Sequence, residues 1–246
     1  MNAPVIAIDG PAASGKGSVS RRVAALLGWN YLDSGAMYRL CGLGAIQAGV
    51  ALDDAPALEA LAQNLTIAFT DDGVELGGID VSEAIRTEDV GEAASRVAAI
   101  PGVRLALLQR QRDFRQAPGL VADGRDMGTV VFPDAALKVF LTASVETRAQ
   151  RRARQIAVDP RDPVHHLADP ENNANQLISK ENYATLHALF QKELDNVLQD
   201  LVKRDARDSA RSSAPLKAAD DAKLLDTTHL GIAEAVAQVM AWHQPV

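Results

Sequence analysis

The chain has 246 residues, and its 47% hydrophobic and 23% charged residues exclude a globally disordered protein. It carries 32 acidic and 25 basic residues, so the net charge of −7 argues against a nucleic-acid binder held by general charge. Arg accounts for 18 of the 25 basic residues, and its forked side chain suits carboxylates and phosphates. The composition therefore predicts local anion sites in an otherwise acidic protein.

The sequence carries no signal for secretion or membrane insertion. Its only cysteine, Cys41, excludes an intrachain disulfide and a cysteine-based zinc cluster. The N-terminal residues lack a basic segment and a long apolar run, and no stretch approaches about 18 consecutive apolar residues. We therefore expect a cytoplasmic protein that has no membrane partner.

Short apolar runs alternate with helical periodicity in the first part of the chain. Each of the first two runs precedes a segment whose apolar residues recur every three or four positions. The predicted strands are 4–8 and 29–32, the predicted helices are 16–27 and 37–47, and residues 50–63 are loosely helical.

The middle of the chain changes to short β segments and then returns to helices. Segments 65–69 and 74–76 flank a turn of aspartates and glycine, which predicts a hairpin, and 79–81 adds a third short strand. Helical periodicity then runs over 82–114. Pro101 interrupts it, so two or three helices are expected there.

The last part of the chain repeats the alternation around a long polar segment. Leucines and other apolar residues recur at helical spacing after residue 181, which predicts an amphipathic helix. The predicted strands are 119–122, 137–141 and 223–226, the predicted helices are 145–156, 186–201 and 231–242, and 157–175 is a predicted loop.

These elements together predict the fold class. Helices separate most of the apolar strands, as the crossover connections of a parallel sheet require. We therefore expect an α/β fold in which a five-stranded parallel sheet carries helices on both faces. Two insertions, at roughly 60–105 and 155–203, interrupt this predicted core.

The segment after the first predicted strand has the spacing of a phosphate-binding loop. Two glycines and a lysine fit the pattern G-x-x-x-x-G-K between a strand and a helix. In such a loop the backbone N–H groups and the helix N-terminus bind phosphates, and the lysine reaches the outer ones. The alternative, a glycine-rich turn with a solvated lysine, is much less favoured by this context. The predicted nucleotide-binding residues are Gly10, Pro11, Ala12, Ala13, Ser14, Gly15, Lys16, Gly17 and Ser18.

The loop departs from the standard form at the residue after its lysine. Gly17 stands where a Ser or Thr hydroxyl normally binds Mg²⁺. Magnesium must therefore be held by Ser18, by water, or by the carboxylates that end predicted strands, Asp9, Asp33 and Asp123. Each carboxylate could equally be a helix cap or turn residue. We select Ser18 and Asp33 as metal residues, acting largely through water.

Four sequence blocks resemble one kinase family. The blocks are 10–18, 32–39, 122–133 and 204–211, and they are similar in sequence and order to bacterial cytidylate kinases, which are P-loop nucleoside monophosphate kinases. The guanine-reading and transporter signature motifs are absent, which disfavours a GTPase and a transporter ATPase. The resemblance implies Mg²⁺-dependent phosphoryl transfer from ATP to CMP or dCMP by a monomer.

The resemblance also implies a division of the chain. The core would comprise 1–59, 106–147 and 212–246. A monophosphate-binding insertion would span 60–105, and a lid region would span 148–211.

Three residues are implied in reading the cytosine ring. Cytosine presents an amino donor beside two acceptors, so a selective pocket needs one acceptor and one or two donors. By resemblance, Asp126 accepts from the amino group, while Arg104 and Ser95 donate to the ring. From sequence alone, Ser95 could equally be a surface hydroxyl, and Arg104 could lie on a solvated helix face.

The remaining substrate residues are implied for the phosphate and sugar of the acceptor. A helix would place Arg204, Asp208 and Arg211 on one face, which from spacing alone would suggest a surface ion-pair helix. The resemblance favours the site instead. Arg39, Arg125 and Arg211 would clamp the phosphate, Arg204 and Asp208 would hold the sugar, and Ser34 completes the substrate set.

Four arginines follow the strand predicted at 137–141. Arg148, Arg151, Arg152 and Arg154 fall within seven residues, which suggests a lid that closes on ATP, although a solvated basic face is the alternative. The catalytic residues implied by the resemblance are Lys16, Arg125, Arg148 and Arg152.

The segment between Arg152 and Arg204 has 51 residues, more than this family's lid usually carries. We hypothesise an extended lid arm that packs within the chain. Two other functions stay open at this stage. One is a regulatory nucleotide-binding protein that uses the arm to bind a partner, and the other is a kinase for UMP or dTMP.

Overall fold

The computed structural model describes residues 2–69, 73–157 and 180–243. Within these ranges, the side chains of residues 156–157, 180–190 and 193 are not described. Almost all of the predicted loop 157–175 therefore lies outside the described residues. The side chains of 186–190, the first part of the predicted amphipathic helix 186–201, also lie outside the description.

Strands occur close to the predicted positions. Two inner segments of the main sheet, Val5–Asp9 and Leu120–Gly124, are buried along their whole length because helices cover both faces. The strands in the described residues are β1 (Val5–Asp9), β2 (Asn30–Asp33), β3 (Ile67–Phe69), β4 (Val74–Leu76), β5 (Ile79–Asp80), β6 (Leu120–Gly124), β7 (Leu137–Thr142) and β8 (Lys223–Asp226).

Helices fill the connections between these strands. The second begins at Ser34, three residues before its predicted start, because Asp33 caps it. Short 3₁₀ and π-helical segments lie at Ala84–Arg86 and Met127–Val131. The α-helices in the described residues are α1 (Lys16–Leu27), α2 (Ser34–Gln47), α3 (Ala55–Asn64), α4 (Glu88–Val97), α5 (Pro101–Arg112), α6 (Val145–Ala157), α7 (Lys180–Ser209) and α8 (Ile232–Trp242).

The main sheet has the order β2-β6-β1-β7-β8, and all its pairs are parallel. Alternate residues of β1 face opposite sides: Val5 and Ala7 join the core beneath α2, α3 and α5, and Ile6 and Ile8 join the core beneath α1 and α8. The predicted five-stranded parallel sheet with helices on both faces is therefore confirmed.

The register places the ends of three strands side by side. Asp9 of β1 lies opposite Gly124 of β6, and Asp33 of β2 lies opposite Asp123 of β6. Parallel sheets bind ligands at the carboxyl ends of their strands. The fold therefore assembles the strand-end carboxylates at the edge where the phosphate-binding loop begins.

The predicted hairpin is also present. Strands β3, β4 and β5 form a small antiparallel sheet. Gly77 and Gly78 connect β4 to β5 with φ values of 61° and 82°, a conformation that side chains other than glycine rarely adopt. This sheet packs against a cluster that includes Leu40 and Leu43 of α2.

Helix α7 is 30 residues long, and residues of its second half pack against the rest of the chain. Its residues Val197 and Leu201 form an apolar cluster with Ala12, after β1, and Ala149 of α6. The described part of the long arm thus packs within the chain, next to the start of α1. Among the helices that the structure describes, none combines the length and the hydropathy that a membrane-spanning segment requires.

Candidate active site

A cleft of about 570 Å³ opens at the carboxyl ends of β1, β2 and β6. Helices α2, α4 and α7 contribute to its walls. Of the predicted site residues, Gly10, Pro11, Ser14 and Arg148 do not line it. The predicted residues that do line it are Ala12, Ala13, Gly15, Lys16, Gly17, Ser18, Asp33, Ser34, Arg39, Ser95, Arg104, Arg125, Asp126, Arg152, Arg204, Asp208 and Arg211.

The phosphate-binding loop, residues 10–18, reaches α1 through two left-handed backbone positions. Ala13 has a φ of 57°, and Gly15, which caps α1, has a φ of 92°. A side chain at Gly10 would overlap the backbone carbonyl of Leu141, because the loop passes directly against β7. This path brings the N-terminus of α1 to the cleft, where its free N–H groups suit an anion.

Lys16 is half-buried at the start of α1, and its ammonium nitrogen lies 3.5 Å from the carbonyl oxygen of Pro11. Burial and, to a smaller extent, the nearby charge of Arg125 together lower the pKa of Lys16 to about 7, although the charges of Asp123 and Asp33 oppose this shift. A phosphate bound in the cleft would add negative charge beside Lys16 and Arg125.

Asp33 serves as a helix cap at the cleft wall. Its Oδ1 accepts a hydrogen bond from the Ala36 amide at 3.1 Å, and its Oδ2 lies 3.7 Å from Arg21. The alternative of a capping role is therefore correct for Oδ1. Because Asp33 also lines the cleft, capping and a role toward a bound cation are compatible.

Asp9 has a different role from the other strand-end carboxylates. Its two oxygens accept hydrogen bonds from the amides of Met127 and Gly128, both at 2.8 Å. Burial raises the pKa of Asp9 to about 7. Asp9 does not line the cleft. Asp9 instead holds the segment after Asp126 in place. The structure therefore does not support Asp9 as a metal ligand.

Asp123 does line the cleft and is almost completely buried. The hydroxyl of Tyr31 donates to its Oδ2 at 2.5 Å. Burial raises the pKa of Asp123 to about 6, and the charge of Asp33 acts in the same direction, while Lys16 opposes it.

The predicted base end of the cleft, at α5, contains a buried ion pair between Arg104 and Asp126. Arg104 also donates to the carbonyl oxygen of Ala98 at 3.3 Å, and its guanidinium lies 5.5 Å from the centre of the Tyr38 ring. Ser95 of α4 is buried nearby, and its hydroxyl has no hydrogen-bond partner in the described residues. The three predicted base-reading residues therefore line one cleft.

Asp208 connects two of the predicted phosphate clamps. Its carboxylate pairs with Arg125, at 2.9 Å, and with Arg211. Helix α7 ends at Ser209, so the expectation that a helix presents Arg204, Asp208 and Arg211 on one face fails for Arg211. Arg211 reaches Asp208 from the segment beyond the helix.

Arg204 and Arg39 are two further arginines of the cleft. Burial lowers the pKa of Arg204 to about 10, and its Nε has no hydrogen-bond partner in the described residues. Arg39 donates to the carbonyl oxygens of Ile85, at 2.6 Å, and Thr87, at 3.3 Å. Both side chains line the same cleft as Asp208, so an anion there would meet several guanidinium groups.

The four arginines of α6 do not act as one group. Arg148 donates to the carbonyl oxygens of Ala143 and Ala12 and pairs with Asp205 at 2.6 Å. Arg151 donates to the carbonyl oxygens of Ser14 and Thr227, which fastens α6 to the loop. Arg154 is exposed, and only Arg152 lines the cleft, where it pairs with Glu88 of α4.

Three side chains with evident roles have no local signal in the sequence. Tyr31 holds Asp123, Glu88 holds Arg152, and Asp205 holds Arg148. Each pair joins residues that are far apart along the chain, so no short motif could have identified the partners.

The donor atoms of the cleft suit a magnesium ion bound mainly by water and phosphate. No group of three or more potential ligands from His, Cys, Asp and Glu occurs in the part of the chain that the structure describes. Mg²⁺ commonly takes only one or two protein oxygens beside phosphates and water. Ser18, Asp33 and Asp123 line the cleft and supply oxygen atoms of this kind.

Known proteins resemble this chain along its whole length. A family model described as cytidylate kinase matches residues 6–169 and 168–244. The cytidylate kinase of Chromobacterium violaceum is 51% identical over 99% of this chain and 97% of its own. The cytidylate kinase of Burkholderia pseudomallei is 52% identical over 98% and 93%, respectively. A solved structure, TT1252 from Thermus thermophilus, is a distant likeness, with a TM-score of 0.40 and 16% identity over 100% of both chains.

Proposed function

The chain belongs to the cytidylate kinase family and transfers a phosphoryl group from ATP to CMP or dCMP, and from this premise we propose how the residues of the cleft divide the work. The products are ADP and CDP or dCDP. The geometry of the cleft supports a donor end at the phosphate-binding loop and an acceptor end at Arg104 and Asp126.

The donor end binds ATP through the loop of residues 10–18. The N-terminus of α1 and the N–H groups of the loop hold the phosphates, and Lys16 neutralises the outer two. Mg²⁺ fits beside them on Ser18 and Asp33, largely through water, with Asp123 adjacent. When bound, this ion shields the charge of the transferring phosphoryl group.

The acceptor end selects cytosine by its hydrogen-bonding pattern. Asp126 accepts from the amino group, and Arg104 and Ser95 donate to the acceptors of the ring. Uracil would place a carbonyl oxygen against the Asp126 carboxylate, which disfavours UMP. The observation that carries this assignment is the buried Arg104–Asp126 pair, which presents one acceptor beside one donor within the cleft.

The acceptor phosphate is clamped by Arg39, Arg125 and Arg211, while Arg204 and Asp208 hold the sugar and Ser34 adds a hydroxyl at the start of α2. Without substrate, Asp208 neutralises Arg125 and Arg211. Phosphate binding would take over part of that pairing and free oxygens of Asp208 for the sugar hydroxyls.

Transfer itself depends on positioning and charge. Lys16, Arg125 and Arg152 line the cleft, and Arg148 lies behind the loop, where it holds the carbonyl of Ala12. Cationic donors directed at the transferring group stabilise the transition state, so no strong general base is required.

We propose that the chain acts as a monomer. Magnesium as the cation and the cytoplasm as the compartment belong to the same proposal. The lid would be formed by the region 148–211, whose helices α6 and α7 border the donor end of the cleft.

Substrate choice is tested by coupled assays of ADP release with CMP, dCMP, UMP, AMP and dTMP. CMP or dCMP should give the highest kcat/KM. A preference for UMP would contradict the role of Asp126, and the absence of turnover with all five would exclude a kinase.

The donor site is tested by Lys16→Ala. We expect kcat to fall about 1000-fold because an outer-phosphate charge is lost, while the melting temperature stays near that of the parent protein. Lys223→Ala is the matched control, since Lys223 is exposed on β8 and does not line the cleft. Equal turnover of the two variants would contradict the assignment of Lys16.

A further inference from the structure

Tyr31 lies between the sheet and α1 at the donor end of the cleft. In the parallel register of β2 and β6, Tyr31 is opposite Val121, so Asp123 is two residues further along β6 on the same face. That face packs against Val19 and Val23 of α1 in one apolar cluster, to which Tyr31 also belongs. The ring is thus held by the core, and its hydroxyl is directed toward the strand end.

Two contacts fix the Tyr31 side chain. The hydroxyl donates to Oδ2 of Asp123 at 2.5 Å, a distance typical of a strong hydrogen bond to a carboxylate. The guanidinium of Arg21, on α1, lies 5.1 Å from the centre of the ring and 3.7 Å from the carboxylate of Asp33. Arg21 therefore borders both the phenol and the second strand-end carboxylate.

The unusual glycine of the loop faces this same pair. A β-carbon at Gly17 would lie 3.5 Å from Oδ2 of Asp123 and 3.8 Å from the Tyr31 hydroxyl. A serine or threonine at 17, the residue of the standard loop, would direct its own hydroxyl into a space bordered by these oxygens. The carboxylate and phenol therefore lie where the standard loop places its metal-binding hydroxyl.

We propose that Tyr31 is a positioning residue for phosphoryl transfer: its hydroxyl orients the Asp123 carboxylate beside Gly17, where the pair replaces the hydroxyl that the loop lacks. This inference rests on the proposed function, because it requires the loop to bind the phosphates of ATP. Tyr31 acts only through Asp123.

The test compares four proteins: the parent chain, Tyr31→Phe, Asp123→Asn and the double variant. Phenylalanine keeps the ring in its apolar cluster and under Arg21, so only the hydroxyl is removed. Measurements are made at temperatures where far-ultraviolet circular dichroism shows all four to be folded. Turnover with saturating ATP and CMP is combined with calorimetric titration of ATP in the presence of Mg²⁺ and of EDTA.

For Tyr31→Phe we expect kcat to fall about 10-fold, with the KM for CMP within about twofold of the parent value. The gain in ATP affinity on adding Mg²⁺ should shrink by a similar factor, while ATP affinity in EDTA stays unchanged. In the Asp123→Asn background, Tyr31→Phe should have little further effect, because the group that it orients has been altered.

Parent-like kcat and Mg²⁺ dependence in Tyr31→Phe would overturn this inference and leave the proposed function intact. Full additivity of the two substitutions, or a loss of ATP affinity in EDTA equal to that in Mg²⁺, would also overturn it. Failure of the parent chain to phosphorylate CMP would instead refute the function on which the inference rests.

Discussion

The two ends of the cleft hold their charged residues in different ways. At the base end, the side chains of Arg104 and Asp126 are only 9% and 4% exposed. At the donor end, Arg152 and Glu88 are 23% and 61% exposed, and they join α6 to α4 across the cleft. One pair is excluded from water, whereas the other is partly solvated.

This difference has energetic consequences. A buried pair is costly to break, because removing one partner leaves an isolated charge without water, whereas exposed pairs contribute about 1 kcal/mol or less. The base end is thus fixed before substrate arrives, which suits selection of the base. In the proposed mechanism, Arg152 would exchange Glu88 for a phosphate at little cost, which suits the proposed lid that opens and closes.

The largest expected effect comes from Asp126→Ala. Arg104 would be left as an unpaired buried charge, so we expect the free energy of unfolding to fall by about 3 to 5 kcal/mol and kcat/KM for CMP to fall about 100- to 1000-fold. Denaturant titration and steady-state kinetics measure these changes. Asp134→Ala removes the exposed partner of Arg115 and serves as the control. Equal destabilisation by both would show that burial does not distinguish the two pairs.

Arg152→Gln should separate activity from stability at the other end. We expect kcat to fall about 100-fold, because a donor to the transferring phosphoryl group is lost, with a change of less than about 1 kcal/mol in the free energy of unfolding. Arg207→Gln is the matched control, since Arg207 forms a second partly exposed pair, with Glu92 of α4, and does not line the cleft. A parent-like kcat in Arg152→Gln would refute its catalytic role.

The smallest effect is expected from Ser95→Ala at the base end. The Ser95 hydroxyl is buried without a partner in the described residues, so its removal should leave the protein equally stable or slightly more stable. Loss of one hydrogen bond to the ring should lower kcat/KM for CMP about fivefold. Thermal unfolding and kinetics test both statements. A clear loss of stability would show that Ser95 has a structural role instead.

Residues with local signals were predicted more reliably than residues that depend on distant partners. The G-x-x-x-x-G-K spacing located the loop because strand, turn and helix N-terminus are consecutive in the chain. No such local signal could tell which of the strand-end carboxylates Asp9, Asp33 and Asp123 binds a metal and which is a cap or turn residue. The structure separates them because Asp9 meets two amides more than a hundred residues away along the chain.

The arginines of α6 show the same limit. Helical spacing correctly grouped Arg148, Arg151 and Arg152 on one element, but it could not tell which of them faces the cleft. Arg148 meets the carbonyl of Ala12, and Arg151 meets Thr227, because the loop and the end of β8 both approach α6 in the fold. Arg152 is left at the cleft, opposite Glu88.

The amino-acid sequence alone was sufficient to predict the parallel α/β core and the phosphate-binding loop, because short-range spacing encodes strands, helices and glycine turns. The kinase family was predicted from the resemblance of four sequence blocks to known kinases. The pairing of charges required the folded chain. Arg104 with Asp126, Arg125 with Asp208 and Tyr31 with Asp123 join separate elements, and burial gives these contacts their strength. The fold therefore brings arginines of an acidic chain into one cleft, whose proposed base end holds a buried ion pair and whose proposed donor end holds a partly solvated one.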